Sequence, residues 1–376
     1  MNTFSRDDSR IHAIYRVRCD PSDIEQRAFA LAIEQSIEMP LHAVRKAQVR
    51  EEIVGRVEAI EACDDGFEVT LSLSAHSIGG EAGQLMNMLF GNCSLQPDIE
   101  LLDATLPADL LDALPGPALG ITGLRELTGA QARALTCTAL KPQGLAPDEL
   151  AALAYVLARA GIDVIKDDHG IADQRYAPFA ERVIAVQRAV DRANRETGGS
   201  TVYAPNVSGG PSRLAAQMRD AHRAGVRCVL ACPMLLGVPA FIEVLREHGE
   251  VGLIAHPAMA GASRIAPALL LGKLFRLFGA DATIFPNFGG RFSYSRDTCR
   301  AIAAAARDPL GAHAPSMPVP AGGMRIERVA EMIAQFGTDT MLLIGGNLLE
   351  AGDAMPQRAR EFVEQVREAS DAASVV

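Results

Sequence analysis

Apolar positions along residues 11–105 follow two different periods. Residues 11–17 alternate apolar and polar, as a strand does, and residues 21–38 read as a helix rich in Ala, Glu and Ile. Residues 52–61 and 66–74 alternate again, and residues 80–91 place Met and Leu along one side of a helix. The order strand-helix-strand-strand-helix-strand predicts a ferredoxin-like α+β sandwich. Residues 105–130 are rich in Pro, Leu and Gly, with Leu114-Pro115-Gly116-Pro117 at their centre, and read as a linker. The expected division is therefore residues 1–125 for the N-terminal domain with its linker and 126–376 for the rest.

From there, strand and helix patterns alternate. Candidate strands end at Lys141, Lys166, Asn206, Ala231, His256, Phe285, Pro320 and Ile344. Amphipathic helices are expected over residues 147–160, 178–194, 212–224 and 266–278, among others. Eight such units make a (β/α)₈ TIM barrel. A doubly wound open sheet is the rival, but no Gly-x-Gly-x-x-Gly opens the first helix. In a barrel of this kind the chemistry sits on the loops that follow the strands.

Composition narrows the class. The 376 residues carry a formal charge of −10, which argues against nucleic acid or an anionic membrane as the main partner. No apolar run approaches the ~20 residues of a membrane span. Seven scattered cysteines without a C-x-x-C pair suit reduced thiols, and residues 1–8 show no apolar signal core, so a cytoplasmic location is expected. With no tryptophan and 5% aromatics, a sugar-stacking surface is not expected.

The stretch Ile162-Asp163-Val164-Ile165-Lys166-Asp167-Asp168-His169 is the most informative. A β-branched apolar run ends in a lysine, two aspartates and a histidine, which is how a barrel delivers hard donors to a cation site. An ammonium has no lone pair, so Lys166 would ligate only if converted, for example to a carbamate. Upstream, Cys137-Thr138-Ala139-Leu140-Lys141-Pro142 is another apolar strand ending in lysine. A lysine held beside a cation gives up its proton more readily and becomes a usable base.

Together these two strand ends resemble the RuBisCO superfamily, whose first barrel strand ends in Lys-Pro and whose second ends in Lys-Asp-Asp-Glu. The likeness runs from about Ile11 to the last helix, and it is to the RuBisCO-like proteins (form IV), not to a carboxylating enzyme. It implies a Mg²⁺ or Mn²⁺ site at a carbamylated Lys166, Asp168 and the residue in third place, here His169. That histidine is either a softer, neutral ligand or a catalytic acid/base, and a nitrogen-tolerant metal such as Zn²⁺ is a third alternative. The resemblance also makes Lys141 the proton-transfer lysine and puts Asn206 beside the metal. His256 matches the family's loop histidine, and Arg291 replaces the mobile loop lysine.

Departures from the family exclude ribulose bisphosphate as the substrate. Pro257, Ala260, Ile284-Phe285-Pro286 and Ala321 stand where arginine, histidines and serine would grip the distal phosphate. Gln143 replaces a second lysine. The glycines for the other phosphate, Gly322-Gly323 and Gly345-Gly346, remain. Asn92, in Leu89-Phe90-Gly91-Asn92-Cys93, and Glu34 match residues that enter the neighbouring subunit's site, which implies a homodimer.

Because a guanidinium suits a carboxylate, Arg291 points to decarboxylation or C–C hydrolysis of an oxo sugar acid, as in apiose-type catabolism. The alternative implied by the resemblance is an isomerase or enolase of methylthioribulose or diketo phosphates in methionine salvage. A non-enzymatic scaffold is the third reading. It fits poorly with Lys141, Lys166, Asp168, Asn206 and His256 standing together.

Overall fold

The computed structural model describes residues 10–247, 251–292 and 294–374. The chain forms two compact units, one of residues 1–115, 259–270 and 310–312, the other of residues 116–258, 271–309 and 313–376.

The smaller unit follows the predicted order. Strands β1 (Arg10–Val17), β2 (Arg56–Cys63), β3 (Gly66–Ser74) and β4 (Ile99–Thr105) form an antiparallel sheet in the order β2-β3-β1-β4. Helix α1 (Ile24–Glu34) connects β1 to β2, and α2 (Ala82–Phe90) connects β3 to β4. Alternation on β1 buries Ile11, Ala13, Tyr15 and Val17 on one face. This is the ferredoxin-like sandwich.

The Pro/Leu/Gly-rich stretch is not a plain linker. It holds helices α3 (Ala108–Ala113) and α4 (Gly120–Thr128), and α4 belongs to the larger unit. Leu110, Leu111, Ile121 and Leu124 are buried, so the leucines there are core residues between turn-forming prolines and glycines.

The larger unit has eight parallel strands: β5 (Leu135–Leu140), β6 (Val164–Asp167), β7 (Val202–Ala204), β8 (Cys228–Ala231), β9 (Gly252–Ala255), β10 (Ala282–Pro286), β11 (Met317–Ala321) and β12 (Met341–Leu343). They run β7-β6-β5-β12-β11-β10-β9-β8, and an Asn206–Leu230 bridge joins the two ends into a barrel. Each predicted strand end lies within two residues of the observed one. Among the crossovers, α5 (Pro147–Arg159), α6 (Phe179–Thr197) and α7 (Pro211–Arg223) lie close to expectation. The segment expected as a helix over 266–278 is instead largely π-helical, over Ala268–Leu274. Inward residues such as Cys137, Val164, Ala204, Leu230, Ile254, Ile284, Val319 and Leu343 fill the barrel.

One buried carboxylate, Asp281 just before β10, holds several segments. Its Oδ1 accepts from the amides of Leu119 (2.6 Å) and Gly120 (2.7 Å), and its Oδ2 from Leu253 (2.7 Å). An asparagine keeps one oxygen and turns an NH₂ toward an amide donor. Asp281→Asn is therefore expected to lower stability by about 1–3 kcal/mol, measured by denaturant unfolding. An unchanged midpoint would contradict this role for the carboxylate.

Candidate active site

Strand β6 delivers the charged cluster. Side chains alternate along a strand, so Lys166 and Asp168 project to the side opposite Asp167. Asp167 is fully buried, accepting from Arg182 Nε of α6 (3.1 Å), the Tyr203 hydroxyl of β7 (2.8 Å) and the Asn206 amide (2.9 Å). Arg182 also donates to the Ala177 carbonyl (2.8 Å). Sequence reasoning passed over this group. Its one signal was an arginine within the apolar stripe of α6, between Phe179 and Val186.

Asp168 is the meeting point of the site. Its Oδ2 contacts Lys141 Nζ, and its Oδ1 accepts from the Gly170 amide (3.0 Å) and lies 3.7 Å from His169 Nδ1. Burial favours its neutral form. The Lys141 hydrogen bond, the Gly170 amide and the charges of Lys141 and Lys166 together outweigh this and hold it down at about 2, so it is a carboxylate.

Lys166 is buried, with Nζ donating to the Asp167 carbonyl (3.1 Å), and burial lowers its pKa. The His169 and His256 rings stack with centroids 4.0 Å apart. Burial, reinforced by the Lys166 charge, pushes His256 down to about 2, and burial also lowers His169. Both imidazoles are therefore neutral near pH 7, which lets them stack without repulsion. The Ala258 amide donates to His256 Nδ1 (3.2 Å), leaving Nε2 to carry the ring proton.

Asn206 Nδ2 donates to the carbonyls of His169 (3.0 Å) and Ile171 (2.9 Å), while its buried Oδ1 has no partner. Arg291 lies exposed on the loop after β10, its guanidinium 5.0 Å from the Phe292 ring centroid, and its charge helps lower His169.

The two glycine pairs differ. A Cβ on Gly323 would lie 2.5 Å from Gly290 Cα, and one on Gly290 would lie 2.7 Å from the Gly322 carbonyl oxygen. Gly322 and Gly323 both adopt positive φ. Close approach of the loops after β10 and β11 thus requires glycine there whatever binds. Gly345 faces the first loop, since a Cβ there would sit 3.9 Å from Lys141 Cε, and Gly346 opens the short helix Gly346–Leu349. In the smaller unit, Asn92 Nδ2 donates to Glu34 Oε1 (3.0 Å).

Among the described residues no three His, Cys, Asp or Glu side chains gather as a metal cluster. Asp168, His169 and the orphaned Asn206 Oδ1 supply donors, while Lys166 as an ammonium supplies none. The set fits a divalent cation once Lys166 is a carbamate. Its lowered pKa eases that conversion, in which the neutral amine forms an N–C bond to CO₂ and releases a proton.

The catalytic domain of the ribulose bisphosphate carboxylase large chain matches residues 120–373. The chain belongs to that family, on its RuBisCO-like, non-carboxylating side. A 5-methylthioribulose-1-phosphate isomerase of Rhodospirillum rubrum is 56% identical over 95% of this chain and 96% of its own. A 2,3-diketo-5-methylthiopentyl-1-phosphate enolase of Geobacillus kaustophilus is 30% identical over 90% of this chain and 87% of its own. The crystal structure of a Rubisco-like protein from Rhodopseudomonas palustris matches with a TM-score of 0.90 at 50% identity, covering 96% of this chain and 98% of that one.

Removing the partner of a buried carboxylate strands its charge. Arg182→Leu is expected to cost about 3–5 kcal/mol in unfolding free energy. Arg192→Leu, which breaks the solvent-screened exposed pair with Glu196, should cost far less. Equal losses for the two would show that the Asp167 pair contributes no more than a surface contact.

Proposed function

We propose that this protein isomerises a 5-methylthio-pentulose 1-phosphate by proton transfer through an enediolate. The observation that carries this reading is the isomerase of Rhodospirillum rubrum, 56% identical over nearly the full length of both chains. A base takes the proton from a carbon beside the carbonyl and the electron pair moves onto oxygen. A proton then returns to a different carbon, so no external oxidant or reductant enters. The diketo phosphate enolase among the relatives shares the first half of this chemistry.

Lys141 is the residue we assign to proton transfer. It is half-buried beside the mouth, its side chain 39% exposed, and it contacts Asp168. The neutral His256 offers an Nε2–H to a substrate oxygen, and His169 lies stacked on it. Lys166 as a carbamate, Asp168 and His169 would hold Mg²⁺ or Mn²⁺, with Asn206 Oδ1 beside them. A divalent cation there supplies positive charge where negative charge develops on the substrate oxygens. The Gly345-Gly346 and Gly322-Gly323 loops offer backbone N–H groups to the phosphate.

The sugar-acid reading rested on Arg291 as a carboxylate clamp. In the structure that guanidinium lies exposed over Phe292, and the relatives described above are named as an isomerase and an enolase. Decarboxylation is therefore set below isomerisation. Family membership, with Lys141, Asp168 and His256 in one site, also weighs against a scaffold. We further propose a homodimer in which Asn92 and Glu34 serve the partner's site.

With 5-methylthioribulose 1-phosphate in D₂O, we expect isomer to form with solvent deuterium at carbon. Asp168→Ala should lose at least about a hundredfold in turnover, while Arg291→Lys should work nearly normally because no carboxylate needs its planar fork. No product, or a severe loss in Arg291→Lys, would count against isomerisation. For the assembly, mixing inactive Asn92→Ala with inactive Lys166→Ala should restore part of the activity through hybrid dimers. An active monomer on sizing would rule out shared sites.

A further inference from the structure

The loop after β10 begins as a tightly held segment. The Asn287 amide donates to the Ala321 carbonyl (2.8 Å), and its side-chain Nδ2 donates to the sulfurs of Met324 (3.2 Å) and Met332 (3.1 Å). The Phe288 carbonyl accepts from Arg328 Nη1 (3.2 Å), and a Cβ on Gly289 would lie 3.3 Å from the same nitrogen. Gly290 then packs against the Gly322 carbonyl. Four consecutive residues thus lean on residues 321–332 of the next βα unit. Arg291 and Phe292 follow at once and are exposed. Their place at the mouth is therefore set by residues 287–290.

Charge gathers on Phe288. Two guanidiniums lie over its ring, Arg296 at 4.3 Å and Arg328 at 5.0 Å from the centroid. Each contact is favourable, because the ring face is electron-rich. Bringing two like charges to one ring is not. Glu331, on the helix Val329–Phe336, resolves this by taking one arginine on each oxygen. Its Oε1 accepts from Arg296 Nη2 (2.7 Å) and its Oε2 from Arg328 Nε (2.9 Å). Among the described residues no other carboxylate pairs with either arginine. Arg296 opens the helix Arg296–Arg307, so the clamp joins the helices before and after β11. An isolated pair this exposed contributes little, but one carboxylate between two arginines and a ring forms a network.

We propose that Glu331, with Arg296 and Arg328, positions the loop that carries Arg291 and Phe292, by neutralising the two cations gathered on Phe288. The inference rests on the isomerase reading for the step it affects, which is substrate capture. None of the three touches the reacting atoms, and they act through Phe288. The substrate in that reading is a phosphate monoester, and a guanidinium held at the barrel mouth attracts it. Glu331→Gln keeps the shape of the side chain and removes its charge. The arginines then repel, Phe288 loses its hold, and the loop is in place for less of the time. KM rises by the inverse of the fraction still placed, while kcat at saturation is unchanged.

The chain has no tryptophan, so Phe292→Trp places a single fluorophore on the exposed loop. Adding Glu331→Gln should lower its anisotropy. Salt at about 1 M should restore part of it, because screening weakens the repulsion between the arginines. Kinetics are measured without the reporter. There Glu331→Gln should raise KM for 5-methylthioribulose 1-phosphate about three- to tenfold, with kcat and the unfolding midpoint nearly unchanged. Glu331→Asp, which keeps the charge, should fall between wild type and Glu331→Gln. Adding Arg296→Gln to Glu331→Gln removes one of the two cations and should recover anisotropy and KM together. Unchanged anisotropy and KM in Glu331→Gln, or a double variant no better than the single one, would overturn the proposal. So would a joint fall in kcat and midpoint, which marks plain damage to the fold. An enzyme inert toward this substrate would remove the isomerase reading, and the reporter would still decide the clamp.

Discussion

The site depends on a carboxylate that takes no part in the chemistry. Asp167 is buried between β6, β7 and α6, and it engages Arg182, Tyr203 and the Asn206 amide at once. Strand pleating then leaves its neighbours no choice of side. With residue 167 fixed toward the helices, residues 166 and 168 face the mouth. The same contact anchors the start of the β7 loop, so Asn206 is placed by the group that places Lys166 and Asp168. Loss of this pair would leave an uncompensated charge in the interior, which makes it a constraint on the whole catalytic edge.

From that edge the electrostatics follow in sequence. Asp168 is kept ionised by Lys141, Lys166 and the Gly170 amide, while burial and those two lysines keep His256 neutral. Histidine in the third position of the cluster leaves one fewer negative charge than a second carboxylate would, and it stacks on His256. A neutral stacked pair beside an ionised carboxylate suits transfer of a proton between neighbouring carbons. Nothing in that arrangement needs a second substrate or a carboxylate on the first.

Much of this was legible in the sequence. Each βα unit shows its own apolar run, turn and amphipathic stripe, so eight strands could be counted and their ends placed within two residues. The chemistry-bearing residues were readable because they end those runs, where polar side chains stand out against β-branched ones. What failed to show has a common physical cause. Arg182 and Asp281 are polar groups whose partners lie in distant segments, and no local period announces a partner. The leucines of residues 105–130 form helices, but prolines and glycines around them mask the stripe. The 266–278 segment kept its apolar face and still adopted the wider π-helical turn, a choice made by packing.

Arg291 shows how far residue type alone can mislead. A guanidinium at a barrel mouth fits a carboxylate in shape, and on that ground decarboxylation ranked first. The structure shows the same side chain over an aromatic ring on an exposed loop. The informative feature of that side of the barrel is what the strand ends lack. A binding site is defined by the polar groups it withholds as well as by those it supplies, because Pro257, Pro286 and Ala321 offer no side-chain donor to replace the hydration of a second charged end. An apolar substrate end loses nothing there. The strand ends thus argue for a substrate whose far end carries no second charge.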